Sequence, residues 1–129
     1  MVLVYVELSA ARVYSYRKPL LEKLKQRFPE GVYLDLDSFS DDYLTTQACR
    51  LVKEADKNVL YFTSSEPDAP LGAALRLAEI LIRRSANSLV VLQGPHTRLE
   101  RLFSNRENIV FAHNPNEEQL FSFLEDYLR

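Results

Sequence analysis

The sequence predicts an α/β domain, a doubly wound three-layer sandwich in which a five-stranded parallel sheet of order 2-1-3-4-5 carries helices on both faces. One observation is the run Val59-Leu60-Tyr61-Phe62, which is apolar without alternation, as expected of a strand buried on both faces. Another is that five such runs alternate with amphipathic segments through short connections. With 129 residues and no internal repeat or linker, we expect a single domain over 1–129.

The first part of the chain reads strand, helix, strand. The run 2–6 is β-branched and aromatic, which favours a buried strand. Pro19 suits the first turn of a helix, and Pro29 marks the end of its apolar face. The next strand, 32–37, alternates apolar and polar residues, which predicts one less buried side and a place near an edge of the sheet.

The middle of the chain predicts a second helix, the central strand and a third helix. The apolar spacing over 44–55 is helical, and Ser40 or Asp41 is suited to cap that helix. After the central strand, Pro70 is expected to open the third helix. Its predicted buried stripe consists of Leu71, Ala74, Leu75, Ala78 and Ile82.

The last third of the chain completes the alternation. Strands are predicted at 88–92 and 109–112, with a short helix around 99–103 between them. The final helix carries its apolar stripe on Leu120 and Leu124. Apart from the connection after strand one, the connections are short, which is consistent with neighbouring strands in one sheet.

Composition narrows the classes of function. The formal net charge of −2 and the absence of a Lys/Arg run argue against a nucleic-acid partner. Cys49 is the single cysteine, so we expect a buried thiol, no disulfide and no multi-cysteine metal site. No apolar run approaches the ~20 residues of a membrane span, and the chain opens on a strand, so we expect a cytoplasmic protein without a membrane partner.

The predicted strand order places a crevice at the carboxyl edge of the sheet, between the connections that follow strands one and three. Those connections are 8–18 and 63–70. Polar side chains there are the expected ligand-binding residues, with a nucleotide as the expected small ligand. They are Ser9, Arg12, Tyr14, Ser64, Ser65 and Asp68.

Metal binding, phosphate transfer to a carboxylate and flavin binding each require particular residues at the carboxyl edge. His96 and His113 follow strands four and five, but no HExxH or GxSxG spacing supports a metal or nucleophile pair, and we expect both to be solvated loop residues. Thr63 stands where a phosphoacceptor carboxylate is needed. The connection after strand one has no glycine to approach a flavin phosphate, so we expect no cofactor and no metal.

The segment from 32–37 through the helix to 59–64 resembles the middle of a TIR (Toll/interleukin-1 receptor) domain, in which a strand ending in an acidic residue leads through a loop and helix to an apolar strand ending in Ser. The resemblance implies a flavodoxin-like fold and a signalling module that assembles with other proteins. Enzymatic members carry a Glu early in the third helix that helps to cleave NAD. In this chain that helix offers Glu79, which Arg76 and Arg83 flank at the spacing of solvated ion pairs.

The turn Asp68-Ala69-Pro70-Leu71-Gly72 is similar to that of nucleoside deoxyribosyltransferases. The family's catalytic Glu would fall at Arg76, so Glu66 or Asp68 would have to replace it. An N-glycosidase acting on NAD or a nucleoside is therefore the alternative function.

Two segments favour protein association. The long connection after strand one mixes arginine with Tyr14 and Tyr16, and the last helix adds Phe121 and Phe123 beside its apolar stripe. We therefore expect a TIR-like binding or assembly module, without catalysis, that binds a protein partner or a second copy of itself.

Overall fold

The computed structural model describes residues 1–9, 19–84 and 86–129, and in this part of the chain each of five strands is followed by a helix. Each apolar run identified in the sequence forms a strand. In chain order the elements are β1 (Val2–Leu8), α1 (Pro19–Arg27), β2 (Val32–Asp37), α2 (Asp42–Glu54), β3 (Asn58–Ser64), α3 (Ala74–Arg83), β4 (Ser88–Gln93), α4 (Thr97–Phe103), β5 (Ile109–His113) and α5 (Glu117–Leu128).

The five strands form one parallel sheet of order β2-β1-β3-β4-β5, which confirms the predicted topology. The register brings Val6 beside Phe62 and Phe62 beside Leu92 in the three inner strands. The alternating strand β2 lies at an edge, as its pattern predicts. This order produces a switch point between β1 and β3 at the carboxyl edge.

Successive residues of each strand point to opposite faces of the sheet, so the sheet supports two separate cores. On one face Leu60 and Phe62 pack with side chains of α2, α3 and α4. On the other face Val59 packs with buried side chains of α1 and α5, among them Leu24 and Leu124. Helices therefore cover both faces, and the polar connections are left at the edges.

Helix α3 begins at Ala74, four residues later than the predicted start at Pro70. Gly72 has φ of 56°, a left-handed conformation that is incompatible with a helix, and a Cβ at this position would overlap the carbonyl oxygen of Ser38. The tight packing against the β2–α2 connection therefore delays the helix.

The delayed start also shifts the buried face of α3. Leu77 and Leu81 are fully buried, although the predicted stripe omitted them. Leu75 and Ile82, which the stripe included, are only partly buried. The side of α3 that faces the sheet is thus rotated from the prediction.

Two helix starts have strong caps. The carboxylate of Asp41 accepts a hydrogen bond from the amide of Leu44 at 2.9 Å, so Asp41 is the cap of α2. Asn116 and Gln119 form a reciprocal capping box on α5.

Cys49 is buried on the inner side of α2, as predicted, and burial raises the pKa of its thiol. None of the helices in the described ranges has the length and apolarity needed to cross a membrane.

Replacing Gly72 by Ala is expected to lower the free energy of unfolding by about 2 kcal/mol or more, because the new methyl group combines an unfavourable φ with overlap on a backbone oxygen. Urea denaturation followed by circular dichroism measures this loss. Gly31→Ala is the matched control, since the nearest atoms to its Cβ would be side-chain atoms of Met1 and Tyr33 and not backbone atoms, and no positive φ is present there. Equal losses in the two variants would contradict the explanation.

Candidate functional site

A row of four polar side chains crosses the carboxyl edge of the sheet. Asp37, Glu7, Thr63 and Gln93 occupy paired positions on β2, β1, β3 and β4, and all four are half-buried. Paired residues of neighbouring strands share one face of a sheet, so these side chains lie side by side. The row gives this end of the sheet hydrogen-bonding capacity, and it places the carboxylates of Glu7 and Asp37 at paired positions of β1 and β2.

Two stacked tyrosines lie beneath this row on the same face. The rings of Tyr5 and Tyr61 are 5.2 Å apart with an interplanar angle of 19°. Burial raises the pKa of Tyr61 to about 12, Tyr5 adds to the rise, and a hydrogen bond with the side chain of Gln93 opposes it. Tyr61 is therefore a neutral phenol at physiological pH and fixes the position of Gln93.

The crevice at the switch point is small and polar. It has a volume of about 310 Å³ and is lined by Glu7, Leu8, Ser9, Thr63, Ser64 and Ser65. Three of the predicted ligand-binding residues, Ser9, Ser64 and Ser65, are thus brought together. The hydroxyl of Ser64 donates to the carbonyl oxygen of Glu66 at 2.8 Å, which is a turn-stabilising contact.

Several predicted residues fall elsewhere. Arg12 and Tyr14 lie outside the described residues, as does Tyr16. Of the catalytic candidates, Glu79 is exposed on α3 and Glu66 is half-buried in the β3–α3 connection. Neither side chain lines the switch-point crevice. In the described ranges no group of three or more His, Cys, Asp or Glu side chains could hold a metal ion.

Ser38 joins three connections at the carboxyl edge. Its side chain is buried, accepts from the backbone amide of Ser9 at 3.1 Å and donates to the carbonyl oxygen of Pro70 at 2.5 Å. These bonds tie the ends of β1 and β2 to the connection after β3. No spacing in the sequence singled out Ser38, because its partners are 29 and 32 residues away.

A second close approach fixes the connection after β4. Gly94 has φ of 88°, and a Cβ there would overlap the carbonyl oxygen of Ser64. The amide of Gly94 donates to the side chain of Asn114 at 2.7 Å. The ends of β3, β4 and β5 are therefore packed without room for a side chain at Gly94.

His96 is buried, contrary to the expectation that it is a solvated loop residue, and only 2% of its surface is exposed. Its Nδ1 accepts from the backbone amide of Leu99 at 3.2 Å, and its Nε2 lies 2.8 Å from the carbonyl oxygen of Ala69. Since Nδ1 accepts, the proton resides on Nε2 and the ring is neutral. His96 thus caps α4 and fastens the β3–α3 connection to it.

The other histidine is exposed, as predicted, but it is the last residue of β5 and not a loop residue. His113 is exposed at the end of β5, where its ring lies 3.3 Å from the carboxylate of Glu100 and 3.1 Å from the carbonyl oxygen of Gly94. These contacts tie α4 to the end of the sheet. The two histidines therefore both contact α4, His96 as its cap and His113 through Glu100.

A wider cavity of about 790 Å³ opens between the β3–α3 connection and α4. Asp68 lines this cavity and not the switch-point crevice, so the predicted ligand-binding residues are divided between two sites. Its lining consists of Pro67, Asp68, Ala69, Pro70, Leu71, His96, Thr97, Arg98 and Arg101. No sequence pattern predicted this cavity, because its two walls, the β3–α3 connection and α4, are separate in the chain and meet only after folding.

An exposed apolar patch surrounds the start of α2. It consists of Phe39, Tyr43 and Leu44, which we call the α2 patch, and Tyr43 is 70% exposed. Of the aromatic residues predicted to serve association on α5, Phe121 is partly buried beneath the guanidinium of Arg27, whereas Phe123 is exposed. The α2 patch was not predicted from the sequence, because the spacing of Leu44 fits the buried stripe of a helix.

The fold and this edge define the class of protein: a flavodoxin-like, doubly wound α/β domain with its polar crevice at the β1–β3 switch point. Comparison of the chain with protein-family models, curated proteins and solved structures finds no match. The resemblances to TIR domains and to nucleoside deoxyribosyltransferases therefore stay predictions.

His96→Ala is expected to lower the free energy of unfolding by about 2–4 kcal/mol, because it removes the α4 cap and leaves the carbonyl of Ala69 without its buried donor. His96→Asn is expected to regain about 1 kcal/mol, since Asn is a good helix cap but is too short to reach Ala69. Chemical denaturation measures both values. Losses below about 0.5 kcal/mol, typical of solvated surface positions, would contradict the assigned role.

Proposed function

We propose that this domain is a binding or assembly module of TIR-like, signalling type that works through the α2 patch and not by catalysis. The observation that carries the proposal is the exposure of Tyr43 and Leu44 on the first turn of α2. Tyrosine is favoured in protein interfaces because its large ring buries apolar area while its hydroxyl stays hydrogen-bonded. A partner that covers this turn would remove that apolar surface from water.

The geometry of Tyr43 suits an anchor residue. Its hydroxyl accepts a hydrogen bond from the side chain of Gln47 at 2.8 Å, one helical turn further along α2. This bond restricts the ring, so less side-chain entropy is lost when a partner binds. Leu44 is fixed on the same turn, where its amide bonds to the cap residue Asp41.

The charges around the patch indicate what the partner presents. Residues 35–42 contain four aspartates and no lysine or arginine. Asp41 and Asp42 are exposed beside the apolar side chains, so their field favours cationic groups. The expected partner is a protein segment with an apolar side chain flanked by Lys or Arg.

The positions of the two predicted catalytic carboxylates, Glu79 and Glu66, favour binding over cleavage of an N-glycosidic bond. A catalytic carboxylate must face the ribosyl carbon inside a crevice. Glu79 projects from the exposed side of α3, and Glu66 lies outside the lining of the switch-point crevice. These positions support the non-catalytic interpretation.

Selection from a random-sequence peptide library against the intact domain tests the proposal. The selected peptides are expected to combine an aromatic or aliphatic residue with Lys or Arg. Their affinity for the Tyr43→Ser/Leu44→Asp variant is expected to be about tenfold lower, a loss of about 1.4 kcal/mol. Asp42→Lys should also lower their affinity, because it reverses a charge beside the patch. Phe123→Ser is the control, because Phe123 is an aromatic residue on α5 that is about as exposed as Leu44.

Peptides that bind the Tyr43→Ser/Leu44→Asp variant as well as the parent domain would refute the α2 patch as the binding surface. The same preparation incubated with NAD is expected to release no nicotinamide above the buffer rate. Release that disappears in Glu79→Ala or Glu66→Ala would overturn the non-catalytic part of the proposal.

A further inference from the structure

The cavity beside α4 has the character of a ligand site that is separate from the α2 patch and from the switch-point crevice. Its volume of about 790 Å³ lies within the range of about 300–1,000 Å³ that is typical of small-molecule sites. One wall is the β3–α3 connection, and the other is the first turns of α4. The cavity lies at the carboxyl edge, where ligands of open α/β sheets bind.

The two walls are held in place by hydrogen bonds between buried or backbone groups. His96 joins α4 to the carbonyl oxygen of Ala69, and the amide of Thr97 donates to the carbonyl oxygen of Pro67 at 3.0 Å. Ser38 holds the far end of the same connection through Pro70. The cavity is therefore preformed, and little ordering is needed when a ligand enters.

Two cations line this cavity. Arg98 and Arg101 are three residues apart on α4, a spacing that puts them on one face of the helix, and both are exposed. The carboxylate of α4, Glu100, is directed instead to His113 at 3.3 Å. Among the described residues neither arginine has an ion-pair partner. The cavity lining contains two guanidinium groups and a single carboxylate, that of Asp68.

The rest of the lining is apolar or already hydrogen-bonded. Pro67, Pro70 and Leu71 offer carbon surface on the connection wall. The amides of Thr97 and Leu99 are used by Pro67 and His96, so a bound anion would depend on the arginine side chains and not on the end of the helix. A suitable ligand thus has a compact anionic head and an apolar body.

We propose that this cavity binds a small organic phosphate monoester. The guanidinium fork matches two phosphate oxygens, and the two arginines supply two positive charges that face both the Asp68 carboxylate and a phosphate group with a charge of about −1.5 to −2 at neutral pH. Arg98 and Arg101 hold the phosphate, and the organic body lies against Pro67, Pro70 and Leu71. The carboxylate of Asp68 accepts a hydrogen bond from a hydroxyl of the body where one is present.

Titration of the full chain with phenyl phosphate, followed by amide and arginine Nε–H resonances in NMR spectra, tests the site. Saturable shifts are expected at Thr97, Arg98 and Arg101, with weaker binding of inorganic phosphate and none of phenol. Arg98→Gln/Arg101→Gln is expected to lower the affinity for phenyl phosphate by about tenfold or more. Arg83→Gln, on an exposed arginine at the far end of α3, should leave binding unchanged.

Three results would overturn the proposal. The first is the absence of saturable shifts at millimolar phenyl phosphate, and the second is equal binding of phenol, which would exclude recognition of the anion. The third is unchanged affinity in Arg98→Gln/Arg101→Gln while the spectrum of that variant remains that of the folded domain. Since the peptide selection depends on the α2 patch, either proposal can fail without the other.

Discussion

Close backbone approach at two glycines sets the shape of the carboxyl edge. Gly72 and Gly94 adopt left-handed conformations. Gly72 lies against the carbonyl oxygen of Ser38 in the connection after β2, and Gly94 lies against that of Ser64 at the end of β3. A side chain at either position would separate the connections that it now joins. The buried hydroxyl of Ser38 adds hydrogen bonds across the same junction. Ser9 after β1 and the connections after β2, β3 and β4 therefore form one packed unit.

This packed edge explains why the surface divides into distinct sites. The switch-point crevice stays small because Ser9, Ser64 and Ser65 are drawn together, whereas the cavity beside α4 stays open because His96 holds its two walls at a fixed separation. A fixed edge presents preformed surfaces to a partner or ligand at low entropic cost. It supports the proposed role as a binding module, in which the sites are shaped before the ligand arrives.

The sheet was predictable because strands that are buried on both faces consist of unbroken apolar residues. The unbroken apolar runs identified the strands, and alternation in 32–37 identified an edge strand. Contacts across the edge were not predictable. The delayed start of α3 depends on Ser38, which meets Gly72 only after folding, and His96 reaches Ala69 across 27 residues. Arg98 and the proline-rich connection after β3 line one cavity, and this arrangement also exists only once the sheet has formed.

Native-state hydrogen exchange tests most directly whether the carboxyl edge is one packed unit. The amides of Ser9 and Thr97, which bond to other connections, are expected to exchange only through global unfolding, at rates that follow the free energy of unfolding as denaturant is added. The amide of Glu118 in the first turn of α5 is the reference for an exposed amide, since the first amides of a helix lack intrahelical acceptors. Exchange at Ser9 and Thr97 as fast as at Glu118 would contradict the account.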